Sequence, residues 1–395
     1  MMPCLRRTLQ ILPAHKQQGR YAWYNIVGYV PYKNAHTVNL HMKIVLTGGG
    51  TAGHVTPHLA IIPKLLADGH EIHYIGTETG IEAGIIGALD GVKYYAIPAG
   101  KLRRYHDWQN IRDIGRTFKG LRESARILRE VKPSIVFSKG GYVGLPVVVA
   151  SARLGILALI HESDMTSGLA NRLCLPFAKA LLCTFPETVE AAGKKGLYVG
   201  APIRDELLKG DRRRGLKTFG FDESKPVLLV MGGSTGAQAI NRALNSIMDE
   251  LIDCFQVLHI CGAGNMTALN ERLPGYVQVE YLNEEMADAL ACADVVVSRA
   301  GSNSICELLA LRKPALLIPY PTSASRGDQE VNAASFERRG FSRVLEQRDM
   351  TGQTLLKKIV EVYHDRGELI DCMRREPVPN GSQRIVDYIY QFAKK

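Results

Sequence analysis

Short apolar runs recur along this chain, separated by longer stretches in which apolar positions fall three and four residues apart. Runs at 44–46, 71–75, 135–137, 157–160 and 180–183 read as strands in the first half. Runs at 227–231, 256–260, 277–281, 295–298 and 315–318 read as strands in the second. Residues 55–68 read as one helix ended by Gly69. Residues 111–131 carry Ile114, Phe118, Leu121, Ala125 and Leu128 at helical spacing, and Pro133 stops them. A last helix covers about 385–395. Buried-type strands alternating with helices imply parallel sheets with helices on both faces. The expected fold class is therefore α/β, with two Rossmann-like, doubly wound parallel-sheet domains facing across a cleft. The join falls near Gly200-Ala-Pro202. The expected division is an extension at 1–42, a first domain at 43–200 and a second at 201–379, with a helix at about 380–395 packing back on the first.

At 395 residues the chain is long enough for two full cores. No apolar run reaches the roughly 20 residues of a membrane-spanning helix. The best candidate, 147–160, is interrupted by Arg153 and reads as a buried strand or helix. Eight cysteines without a CxxC pair or regular spacing read as reduced core thiols. The net charge of +10 is local. Residues 1–42 hold five basic residues and no acid, and 101–132 hold ten basic residues against four acids, so the remainder is close to neutral. In the second region Lys101, Arg103, Arg104, Arg112 and Arg116 interleave with Leu102, Trp108 and Phe118, a mixture suited to an anionic bilayer surface. The competing reading is a solvated helix face. No nucleic-acid motif accompanies the charge, so nucleic acid is not an expected partner. Residues 1–42 lack periodicity and a cleavage site, and Met42 directly precedes a strand start. Met42 is the expected initiator, with 1–42 a mis-start or a disordered arm; a membrane-tethering arm is the alternative.

Gly48–Gly53 fits G-x-G-x-x-G between a strand and a helix, which lets backbone approach a phosphate. A dinucleotide enzyme would need an acid ending the second strand, and Ile75-Gly-Thr-Glu78 matches poorly, which argues against an oxidoreductase. His54 follows the last glycine near a helix N-terminus, where the dipole keeps an imidazole neutral and able to take a proton. His58 lies four residues on without a third ligand, so no metal site is expected. In the second half, Gly232–Ala237 sets Ser234 and Thr235 at a helix start, a favourable diphosphate seat. A further turn, Ser298-Arg-Ala-Gly-Ser-Asn-Ser-Ile-Cys-Glu307, offers Ser302 and Ser304 to phosphate and Glu307 to ribose hydroxyls. Two phosphate-type turns assign the nucleotide to this half. The chain has no Asp-x-Asp pair to hold a metal on a diphosphate; amides, hydroxyls, a helix dipole and Arg204 are left for that task.

The segments GGGTAGHVTP (48–57), SKGGYVGLP (138–146), HESDMTSGLANR (161–172), GAPIR (200–204), MGGSTGAQAIN (231–241) and SRAGSNSICE (298–307) together resemble glycosyltransferase family 28, over about 43–390. The resemblance implies a GT-B fold and an inverting, metal-independent transfer of N-acetylglucosamine. The donor is UDP-N-acetylglucosamine, a substrate rather than a cofactor. The acceptor is the 4-hydroxyl of undecaprenyl-diphosphate-linked muramoyl-pentapeptide (lipid I) in bacterial peptidoglycan synthesis. It also implies a peripheral location at the cytoplasmic face of the cell membrane, with cell-wall synthesis and division proteins as partners. By position, His54 would be the base, with Glu162 competing. Thr51, Ala52, Gly53, Asp164, Arg204 and Ser234 would lie at the donor, and Leu282 would face uracil through its backbone. Ser302, Asn303, Ser304 and Glu307 would hold diphosphate and ribose, and Asp328 and Gln329 the sugar hydroxyls. Gly50, Lys139, Gly140, Gly141 and Tyr142 would seat the acceptor diphosphate. Asp164 stands where other members carry asparagine. The alternatives are a related GT-B diacylglycerol glucosyltransferase and a non-catalytic UDP-sugar-binding protein.

Overall fold

The apolar runs form two separate all-parallel sheets, each in its own unit of the chain. The computed structural model describes residues 41–100, 109–233, 236–267, 273–322 and 327–394, and only the backbone of 52 and 109–114. The expectations for 1–40 and for Lys101, Leu102, Arg103, Arg104, Trp108 and Ser234 lie outside the described residues. The chain passes from one unit to the other between Arg204 and Asp205 and returns at Pro379.

The first unit runs β1 (Lys43–Thr47), α1 (Ala52–Leu59), α2 (Ile62–Ala67), β2 (Glu71–Gly76), α3 (Ile81–Ile86), β3 (Val92–Ala96), α4 (Gln109–Val131), β4 (Ile135–Ser138), α5 (Gly144–Arg153), β5 (Ala158–Glu162), α6 (Leu169–Cys174), β6 (Ala180–Cys183), α7 (Pro186–Ala192) and β7 (Gly196–Tyr198). Its strand order is β3-β2-β1-β4-β5-β6-β7. The order reverses between β1 and β4, which places the first glycine turn at the point where connections leave to opposite faces. The expected single helix at 55–68 is two helices. Pro63 near the start of α2 has no N–H to give the Leu59 carbonyl, so the first helix ends there.

The second unit runs α8 (Arg212–Phe219), β8 (Val227–Met231), α9 (Gln238–Asn245), α10 (Met248–Cys254), β9 (Gln256–Ile260), β10 (Tyr276–Val279), α11 (Met286–Cys292), β11 (Val295–Ser298), α12 (Ser302–Ala310), β12 (Ala315–Leu317), α13 (Asp328–Arg338), β13 (Ser342–Val344) and α14 (Gly352–Arg375). Its order, β10-β9-β8-β11-β12-β13, reverses between β8 and β11. β4 and β11 are buried along their whole length and β8 along all but its last residue, as strands covered on both faces must be. No disulfide joins the described cysteines, and all of them but the half-buried Cys372 are buried. No helix among the described residues is long and apolar enough to cross a membrane.

The last helix, α15 (Gly381–Ala393), belongs to the first unit. Ile385, Val386, Ile389 and Tyr390 join the core that covers β1, β2 and β4. Ser382 Oγ donates to the Ile203 carbonyl at 2.9 Å, and Tyr390 Oη donates to Asp68 Oδ2 at 2.6 Å. Ile389 has no exposed surface. Ile389→Ala is expected to destabilise the first unit by about 2–5 kcal/mol, read as a lower urea midpoint with an unchanged slope.

Candidate active site

In the first unit the β1–α1 turn meets the turn after β4. Gly141, at φ 77°, comes so close to Gly49 that an added Cβ would lie 2.4 Å from the Gly49 carbonyl oxygen. Only glycine combines that φ with that approach. Below the first turn lies Glu82 of α3, without exposed surface. Its carboxylate accepts from Gly50 N at 3.1 Å, Thr77 N at 3.1 Å and Thr77 Oγ1 at 2.6 Å. Tyr74 Oη donates to the Gly48 carbonyl at 2.7 Å. The Gly50 amide is thus directed inward to a buried carboxylate. The sequence reading passed over Glu82, because a lone acid at the start of a short helix looks like a solvated residue.

His54 is the third residue of α1, whose N-cap is Thr51. The Thr51 hydroxyl does not cap the backbone; it lies 2.9 Å from His54 Nδ1. His54 is half-buried, whereas His58, one turn on, is sealed between Tyr74 and Phe137. Burial, with help from the nearby Lys139 ammonium, pushes the His58 imidazole down to about 3.

Glu162 ends β5 and is 5% exposed. Its carboxylate accepts from Asp164 N at 3.1 Å, Gly168 N at 2.9 Å and Asn171 Nδ2 at 2.9 Å. It ties down the whole loop from 163 to 168. Lys139 is also buried; desolvation lowers its pKa, while the Glu162 and Asp164 carboxylates oppose the shift. The structure brings together Gly50, Thr51, His54, Lys139, Gly140, Gly141 and Tyr142 around the β1/β4 reversal. Glu162, at the end of the adjacent strand, and Asp164, in the loop after it, follow.

In the second unit the turn after β8 again needs glycine. Gly236 has φ 73°, and a Cβ there would meet the Cys261 carbonyl oxygen at 2.2 Å. Across the β8/β11 reversal, Gly301 is the N-cap of α12, with no side chain to satisfy the opening amides. Ser302, Asn303, Ser304 and Glu307 are all half-buried along the first turns of that helix. Asn332 Nδ2 holds the turn from behind by donating to the Ala300 carbonyl at 3.0 Å. Gln329 Oε1 accepts from Tyr320 N at 3.0 Å, and Asp328 opens α13. Leu282 lies in the loop after β10, half-buried. Arg204 is the last residue of the first unit before the chain passes into the second.

The residue that sequence reasoning missed here is Arg299. It is 7% exposed. Nη1 donates to the Ile318 and Pro319 carbonyls at 3.0 and 3.2 Å, and Nη2 to Gln347 Oε1 at 2.7 Å. The guanidinium carbon stands 5.1 Å from the centre of the Tyr320 ring. Burial lowers its pKa. The signal in the sequence is a charged residue directly after the apolar run 295–297 and Ser298.

Two family models match the chain: the glycosyltransferase family 28 N-terminal domain over residues 44–183, and the C-terminal domain over 227–385. The chain is 48% identical over 353 residues to the UDP-N-acetylglucosamine--N-acetylmuramyl-(pentapeptide) pyrophosphoryl-undecaprenol N-acetylglucosamine transferase of Lachnospira eligens, covering 89% of this chain and 99% of that protein. It is 46% identical to the protein of the same name from Clostridium botulinum, with the same coverage. Among solved structures, Acinetobacter baumannii MurG is similar at a TM-score of 0.70 and 24% identity, covering 89% of this chain and 99% of that one.

The buried histidine predicts an acid limb in stability. A pH unit or more above 6.5, His58 is largely neutral in both states and adds little slope. As pH falls from 6.5 towards about 3, the unfolded chain takes up a proton that the folded chain refuses. Stability therefore falls, by at most about 1.4 kcal/mol per pH unit for this group. His58→Asn is expected to flatten that limb in urea titrations between pH 6.5 and 4.5, with little change in slope above pH 7.

Proposed function

Because this chain belongs to glycosyltransferase family 28, we propose that it transfers N-acetylglucosamine from UDP-N-acetylglucosamine to the muramoyl 4-hydroxyl of undecaprenyl-diphosphate-linked muramoyl-pentapeptide, the lipid I to lipid II step of peptidoglycan synthesis. It is a hexosyltransferase of the GT-B fold. The observation that carries the reading is identity of 48% across 99% of the length of a transferase named for this reaction.

The chemistry is a single displacement. The acceptor oxygen attacks the anomeric carbon as the bond from that carbon to UDP breaks, and the configuration inverts. The hydroxyl proton goes to His54. With Nδ1–H donated to Thr51 Oγ1, Nε2 carries the lone pair that receives it. Glu162 is the weaker candidate, because three donors already occupy its buried carboxylate. The charge growing on the departing diphosphate is met by the opening amides and hydroxyls of α12, at Ser302, Asn303 and Ser304, and by Arg204. Glu307 takes the ribose hydroxyls, and Asp328 and Gln329 the sugar. With no Asp-x-Asp pair in the chain, the reaction is proposed to need no metal.

The first unit is proposed to meet the lipid-linked acceptor at an anionic membrane surface through 101–118. On α4, Arg116 is exposed and Phe118 is 64% exposed, although helical spacing groups Phe118 with the buried side. An exposed aromatic among arginines supports a bilayer contact over a solvated face.

Purified protein is expected to transfer radiolabelled N-acetylglucosamine to a lipid I analogue, equally well in EDTA. No transfer removes the reading, and loss of transfer in EDTA removes its metal-free part. His54→Ala is expected to lower kcat by about 10²–10⁴; near-normal turnover would pass the role to Glu162. Replacing Arg103, Arg104, Arg112 and Arg116 by Ser is expected to weaken co-sedimentation with anionic vesicles and leave zwitterionic vesicles unaffected. Unaltered binding to anionic vesicles would return α4 to a solvated face.

A further inference from the structure

Arg299 is a buried cation without a counter-ion among the described residues. Its three hydrogen-bond acceptors are two carbonyls and one amide oxygen, all neutral. No described carboxylate pairs with the guanidinium; besides burial, the group that acts on it is the Tyr320 hydroxyl. Removing a full charge from water is costly when no opposite charge replaces the lost hydration. A neutral donor could tie the loop at Ile318 and Pro319 to β11 without that cost. The charge itself therefore calls for an explanation.

Its position supplies one. Arg299 follows the last residue of β11 and precedes the N-cap of α12 by two residues. The positive end of that helix and the guanidinium bias the same carboxyl edge of the sheet, beside the β8/β11 reversal. We infer that Arg299 is a positioning residue whose uncompensated charge is neutralised by the diphosphate of the nucleotide, so that it selects phosphorylated over unphosphorylated uridine without touching the reacting atoms. This rests on the proposed UDP donor and deepens it. The guanidinium is itself 7% exposed, and a charge shielded from water in this way keeps more of its reach than one in solvent. The hydrogen bonds to neutral groups hold it in place while leaving its charge unspent.

Gln347→Glu tests the inference with little change of shape. It puts a carboxylate oxygen where Gln347 Oε1 now accepts from Arg299 Nη2. The ion pair so formed should hold or raise the melting temperature. It should also raise the Kd for UDP about tenfold, with the Kd for uridine, followed by ligand-observed NMR, nearly unmoved. Arg299→Lys keeps the charge and loses the fork; it should lower the melting temperature and keep most of the preference for UDP over uridine. An unchanged UDP affinity in Gln347→Glu, or equal weakening of UDP and uridine in both variants, would make Arg299 a loop clamp only. Failure of the unaltered protein to bind UDP at all would instead overturn the donor assignment itself.

Discussion

Where neighbouring parallel strands send their connections to opposite faces, the carboxyl edge of a sheet opens, and both sheets here do this beside the first strand of their unit. Every group with chemical promise lies along those two edges. Along each edge the backbone comes closer to a neighbouring strand end than a side chain permits: Gly141 to Gly49 across the β1/β4 reversal, and Gly236 to Cys261 just after β9. In the first unit the Thr51–His54 pair stands beside the Lys139–Tyr142 turn; in the second, the uncapped start of α12 lies across the β8/β11 reversal.

The two similar turns rest on unlike foundations. Beneath the first is a carboxylate, Glu82, which takes the Gly50 amide for itself. Beside the last is a guanidinium, Arg299, fastened by neutral groups. A turn whose amide already serves an internal anion is poorly suited to cradle a phosphate, whereas one next to a bare cation is well suited. The charge buried beside a glycine turn thus bears on what the turn's amides are free to accept.

Central strands could be read from the sequence because burial on both faces leaves an unbroken apolar run, as in 135–138 or 295–298. Strands β3, β7 and β13 gave no such signal. Each lies at a sheet edge, part-exposed, and two of them have three residues. The break between α1 and α2 was written in Pro63 but was outweighed by the apolar spacing around it. The glycine turns, His54 and Glu307 were legible because their chemistry is local to a short motif. Glu82 and Arg299 were not, because what distinguishes them is the company they keep in space: Thr77 and Gly50 for one, Ile318 and Gln347 for the other.

The closing helix of the chain has a bearing on biosynthesis. The sheet face built from β1, β2 and β4 keeps part of its apolar surface bare until Ile385, Ile389 and Tyr390 arrive. The ribosome makes those residues after all of the second unit. The amino-terminal half is therefore first to be translated and last to be finished. A nascent chain stalled before 379 carries a sticky, half-closed lobe, the kind of surface that chaperones and proteases recognise.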